Sequence, residues 1–209
     1  LAGGSPPPQI WLGSVSFALL QLGHLSSGTT RLSGTDLRIA GQAETTAAYR
    51  AVKTALKTQL PTGMTLTGDD VTPPVVKPFS WMAKYLQGSI TLSGYVPSEA
   101  ARTQILEQTR NLFPGFKVVD AMELAAGPPD SWLWAVSASL IQLHRLESGR
   151  VRLKGTTLEF TGIATDKNTA EDVAASVRHG LPSSYSTSEK VTVRKKPGPA
   201  EAPASGRSG

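Results

Sequence analysis

The chain contains no cysteine. That excludes disulfides, thiolate metal sites and cysteine nucleophiles. It leaves the compartment open, because a cysteine-free chain suits reducing and oxidising surroundings alike. Aromatic residues are scarce at 6% and charged residues modest at 18%. With 39% hydrophobic residues the composition is still that of a folded chain rather than a disordered one. No apolar run reaches about 18 residues, so no membrane-spanning helix is expected. The chain begins with Leu1 and shows no basic leader before an apolar stretch. It therefore reads as a processed or partial chain, and any signal peptide would precede Leu1. What the sequence has in quantity is Gly, 20 residues, and Pro, 15 residues, among 209. Short, often interrupted elements follow from that.

Those short elements repeat. Setting Trp11-Leu12 over Trp132-Leu133 and running forward without a gap brings QLGHLSSGTTRLSGTDLRIAG over QLHRLESGRVRLKGTTLEFTG. Leu60-Pro61 then falls over Leu181-Pro182, with roughly 20 of about 51 aligned positions identical. A weaker third copy lies between, where Ile90-Thr-Leu-Ser-Gly94 matches Leu37–Gly41 and Leu158–Gly162. After each of these glycines comes a helical pattern, closed at the same distance by Leu60-Pro61, Phe113-Pro114 or Leu181-Pro182. The residue before Pro is pushed toward extended geometry, so each Pro ends its helix.

Periodicity assigns the elements. Ala48, Val52, Ala55 and Leu56 recur at helical spacing, as do Ala101, Ile105, Leu106, Leu112 and Phe113, and Ala170, Val173, Ala174 and Val177. Ser98 and Thr165 are placed to cap two of these helices. Val151, Leu153, Leu158 and Phe160 alternate with Arg150, Arg152 and Glu159, which predicts strands with one wet face. Ser33-Gly-Thr-Asp36 and Lys154-Gly-Thr-Thr157 read as hairpin turns. The outer copies carry a leading helix, with Trp11, Val15, Ala18, Leu19, Leu22 and Leu25 on one face in the first copy and Trp132, Val136, Leu140, Leu143 and Leu146 matching them in the last. In the middle copy an extended segment, Pro78–Tyr85, replaces that helix and is expected to pair with Ser89–Ser93.

The expected fold is therefore α/β (α+β). Three small tandem units are predicted, αββαβ in residues 8–74 and 128–195 and ββαβ in residues 75–127, followed by a disordered, low-complexity tail at 196–209. Units this small are marginal alone, so neighbouring copies are expected to share one sheet-and-helix layer. Thr72-Pro-Pro74 and Gly127-Pro-Pro129 read as stiff joints.

The strand–Gly–helix–Pro–strand pattern, clearest in ITLSGYVPSEAARTQILEQTRNLFPGFKVVDAMEL, resembles the BON domain. The alternation of copies with Pro-Pro joints is similar to repeats in OmpA-family envelope proteins of alphaproteobacteria. The resemblance covers about residues 8–194. It implies an α/β sandwich, a periplasmic or outer-membrane-associated location and a non-catalytic role, with phospholipid binding or self-association as functions. No OmpA-like module follows the repeats, so peptidoglycan binding is not carried over.

Chemistry is hard to find in the sequence. Only His24, His144 and His179 exist, and His24 aligns with Arg145, not with His144. No HExxH, P-loop, GxGxxG or GxSxG motif occurs. Asp69-Asp70 reads as a charged turn, since a calcium loop needs more oxygens. No catalytic residue, metal or cofactor is assigned. Trp11 and Trp132 are read as core anchors, and Trp134, aligned with Gly13, as an exposed contact.

The net charge is +5. Arg150, Arg152 and Lys154 alternate on one strand, and Arg194, Lys195 and Lys196 follow the last one. With Trp134 they form the candidate surface for an anionic membrane or an envelope protein. Glu159 is expected across the hairpin from Arg152. Self-association into a homo-oligomer through sheet edges is the alternative. Nucleic acid is not an expected partner, because aromatic–basic interleaving on a sheet and a GXXG loop between helices are missing.

Overall fold

The computed structural model describes residues 8–194. The first copy comprises α1 (Pro8–Leu22), β1 (Leu25–Ser33), β2 (Asp36–Ala43), α2 (Thr46–Thr58) and β3 (Thr65–Thr72). The middle copy comprises β4 (Ser80–Leu86), β5 (Ser89–Val96), α3 (Glu99–Leu112) and β6 (Lys117–Leu124). The last comprises α4 (Trp132–Leu143), β7 (Ser148–Lys154), β8 (Thr157–Ala164), α5 (Lys167–His179) and β9 (Ser186–Val193). The predicted αββαβ, ββαβ and αββαβ orders are all present.

Each copy builds the same ββαβ unit. A hairpin sets its first two strands antiparallel, and the helix then returns the chain to a third strand parallel to the second. The shared glycines serve this geometry. A Cβ at Gly41, Gly94 or Gly162 would collide with backbone atoms of the hairpin partner strand, at Ser27–Gly28, Ser80–Trp81 and Ser148 respectively. The three positions are structurally equivalent, and their common role is close backbone approach.

The expectation of one continuous layer holds for two copies only. Strands β6-β5-β4-β7-β8-β9 form a six-stranded sheet, joined where β4 pairs antiparallel with β7. Strands β1-β2-β3 form a separate sheet. Two cores follow. One gathers Trp81, Ile90, Ile105, Val151, Phe160 and Val173 beneath α3, α4 and α5, and a smaller one gathers Ala18, Leu37, Ile39, Val52, Leu56 and Val71. The two bodies touch where Thr46 donates to Glu123 Oε2 (2.7 Å) and Arg50 pairs with Glu123 Oε1 (3.1 Å).

Three expectations need correction. Asp166, not Thr165, caps α5. Its Oδ1 accepts the Thr169 N–H at 2.9 Å, and Thr165 donates its hydroxyl to Asp166 Oδ2 at 2.9 Å. A carboxylate in that position is the stronger acceptor for the helix's first free N–H groups. Ser98 caps α3 as expected, accepting from the Ala101 N–H at 3.1 Å. Asp69-Asp70 lies within β3, not in a turn, with Asp69 on Lys53 (2.6 Å) and Asp70 on Arg38 (3.0 Å). Finally, Trp11 is no core anchor. It is 54% exposed, and Leu19 is exposed with it, whereas Trp132 is 2% exposed. Helix α1 instead turns Ser14, Ala18 and Gln21 inward. Trp132 is covered from the middle copy, where Phe79 meets its ring edge-on at 5.3 Å, and the first copy has no such neighbour.

Candidate functional site

Helices α3, α4 and α5 cover one face of the six-stranded sheet, and the other face is open. On β7, Val151 and Leu153 are fully buried beneath the helices, so Arg150, Arg152 and Lys154 project from the open face. The register extends this short basic row across strands. Arg150 lies opposite Lys84 of β4 and Thr161 of β8, and Thr161 lies opposite Lys190 of β9. The next row sets Arg152 between Met82 and Glu159, with the Arg152–Glu159 ion pair long at 4.0 Å. Lys154 stands between Ser80 and Thr157.

Across β4, β7, β8 and β9 the open face thus carries Lys84, Arg150, Arg152, Lys154 and Lys190 against Glu159. The acid of β9, Glu189, points to the helix side and binds Arg178 there. Two open depressions mark the face. One, of about 340 Å³, is lined by Lys84, Arg150, Thr161 and Lys190 and bordered by Leu86 and Ile163. The other, of about 240 Å³, is lined by Arg152, Lys154, Met82 and Ser93. Leu86 and Ile163 are exposed apolar side chains beside the cations. The face is therefore amphiphilic, with ammonium and guanidinium groups, hydroxyls and two aliphatic tips.

The candidate residues do not all converge. Arg150, Arg152 and Lys154 share the open face. Trp134, 51% exposed, stands on α4 in the helical layer on the opposite side. Arg194 follows β9 and reaches Glu147 at 3.4 Å. Lys195 and Lys196 lie outside the described residues. Lys84 and Lys190 were not singled out from sequence. Each is a lone lysine in its strand, and only the pairing register brings them beside Arg150.

A second groove, about 410 Å³, runs between α2 and the α3–β6 region. Three of its four lining cations are committed to acids, the fourth being Lys57. Arg50 binds Glu123, Lys53 binds Asp69, and Arg102 binds Asp120 at 2.7 Å. The hydrogen bond to Asp120 raises the Arg102 pKa against the opposing effect of burial. This groove is a contact between copies with little charge left to offer. Among the described residues no three His, Asp or Glu side chains gather as metal ligands, and no helix is long and apolar enough to cross a membrane.

Residues 88–126 match the family model for the BON-like domain. The matched segment is β5, α3 and β6 of the middle copy. Among solved structures, the chain is similar to CdsD, a structural protein of the type III secretion system of Chlamydia trachomatis. Identity is 11%, over 86% of this chain and 91% of that one, with a TM-score of 0.26. The CdsD C-terminal domain from the same organism gives 12% identity, 87% and 97% coverage and a TM-score of 0.25. Overlays this loose carry no argument about role. No curated protein matches the chain.

Proposed function

We propose that this chain is a non-catalytic binding module of the bacterial cell envelope, which lays the open face of its six-stranded sheet on an anionic phospholipid surface. The observation that carries the reading is the row Lys84–Arg150–Thr161–Lys190, in which Lys84 and Arg150 are direct neighbours, Lys190 follows beyond Thr161, and no acid intervenes. Like charges directly opposite on neighbouring strands destabilise a sheet. An anionic surface would relieve that repulsion. Each Lys or Arg near such a surface contributes about 1 kcal/mol, falling off within a Debye length.

The aliphatic tips favour a lipid surface over a free anion. Leu86 and Ile163 border the cations, so they would meet the headgroup–acyl boundary while the cations meet phosphates. The BON-like match in the middle copy supports the same reading, since phospholipid binding and an envelope location are what that resemblance implies.

The test is co-sedimentation of the full chain with phosphatidylglycerol vesicles and with phosphatidylcholine vesicles. Binding to the first alone, released by salt, is expected. Equal binding to both, or to neither at low salt, contradicts the proposal.

A further inference from the structure

The join between β4 and β7 has a symmetry that the first copy leaves unused. Gly94 pairs with Trp81 in the middle copy and Gly162 with Gly149 in the last. Trp81 and Gly149 are therefore equivalent, and so are Ala83 and Val151. Across the join Ala83 faces Val151. A residue paired with its own equivalent marks a two-fold relation, so the two copies meet as an isologous pair within one chain.

In the first copy Gly41 pairs with Gly28, which makes Thr30 the equivalent of Val151. Strand β1 corresponds to β7, but it is an edge of its sheet, with β2 its sole neighbour among the described strands. It is also a poorly defended edge. Its sequence, LSSGTTRLS, holds a single charge, Arg31, whereas the other edge strands β3, β6 and β9 all carry acids, and its one register irregularity, between Leu25 and Ser27, lies at the start of the strand and leaves Gly28–Ser33 regular. Edges are normally blunted by charge, proline or bulges.

The helix above β1 is equally incomplete. Helix α1 packs on β1 as α4 packs on β7. Two side chains that α4 buries, Trp132 against Phe79 of the middle copy and Leu140, have exposed equivalents in Trp11 and Leu19. Leu12 and Leu20 extend the exposed apolar stripe on α1. The first copy thus presents both halves of the surface with which the last copy grips its neighbour.

We propose that a second copy of this chain occupies this surface, pairing β1 antiparallel with β1 of the partner about a two-fold axis at Thr30. The internal join supplies the register. Thr30 faces Thr30 of the partner subunit, and Arg31 faces Thr29 of the partner subunit. No like charges then oppose each other, although the internal join itself sets Lys84 against Arg150. The middle copy has no leading helix, so the internal join brings one such helix to the interface and the dimer brings two. The α1 stripes therefore pack on each other, which matches their greater width.

Sedimentation velocity on the full chain, over a hundred-fold concentration range, is the first test. The expected result is a reversible monomer–dimer equilibrium. Leu19→Glu, at a site exposed in the monomer, should weaken it at least ten-fold without lowering the monomer's melting temperature. The register is tested separately, because the natural chain has no cysteine. Under mild oxidation Thr30→Cys should give a covalent dimer. Thr29→Cys should not, because its two copies sit on a diagonal of about 7–8 Å, too far for a disulfide. A monomer at every concentration, or a dimer untouched by Leu19→Glu, overturns the interface. Cross-linking through Thr29→Cys but not Thr30→Cys overturns the register. The vesicle assay reads the other sheet and is unaffected by any of these outcomes.

Discussion

Lys84 and Arg150 face each other across the β4–β7 join, where the middle and last copies pair through backbone hydrogen bonds. Two cations at the seam of a sheet work against that seam, since opposite charges there would favour it. Under the proposed function, an anionic surface would relieve that repulsion.

The first prediction separates stability from binding. Lys84→Glu turns the repulsion into an attraction across the seam. Cross-strand pairs are worth about 0.2–1 kcal/mol, so this variant should melt at a higher temperature than the natural chain while binding anionic vesicles more weakly. A variant that loses both stability and binding would mean that Lys84 has a packing role instead.

A second prediction uses the two equivalent tryptophans. Trp132→Ala removes a 2%-exposed ring that closes on Phe79 and should cost about 3–5 kcal/mol in a urea melt. Trp11→Ala removes a 54%-exposed ring. Measured at concentrations where the chain is monomeric, it should change stability by no more than about 0.5 kcal/mol. Equal costs would contradict the different surroundings of the two helices.

The third concerns acid. Hydrogen bonds from the Thr169 backbone first, then from the Thr169 and Thr165 side chains, hold the Asp166 carboxyl below the usual carboxylate range. A carboxyl depressed in the folded state stabilises fully above its unfolded pKa, and the contribution is lost as pH falls through the folded value. Asp166→Asn keeps an acceptor at the cap but does not titrate. Urea melts between about pH 5 and pH 2 should show a shallower loss of stability for the variant than for the natural chain. A steeper loss would contradict the cap assignment.

Much of this architecture was legible in the sequence because it is local. The hairpins, the helices and their order in all three copies follow from period, glycine and proline. So does the basic face of β7, because Arg150, Arg152 and Lys154 alternate with residues that must be buried. What stayed hidden depends on pairing between distant strands. Nothing near Ser80 or Ser148 indicates that β4 takes β7 as its neighbour, so neither the six-stranded sheet nor the alignment of Lys84 and Lys190 with Arg150 could be read. Trp11 was misread for the same reason. Its helix repeats the pattern of α4, and burial of that pattern depends on a neighbouring copy, not on the helix itself. The cap at Asp166 was missed by one residue, because Thr165 and Asp166 are both good capping types and only backbone geometry chooses between them.

The most direct measurement is vesicle co-sedimentation of the natural chain beside the Arg150/Arg152/Lys154→Ala triple variant, at low and at high salt. At about 1 kcal/mol for each charge near the surface, the variant should lose about ten-fold or more in affinity for anionic vesicles. High salt should release the natural chain, and the circular dichroism spectra of the two proteins should coincide. Undiminished binding by a folded triple variant, or no binding by the natural chain at low salt, would contradict the assignment of the open sheet face.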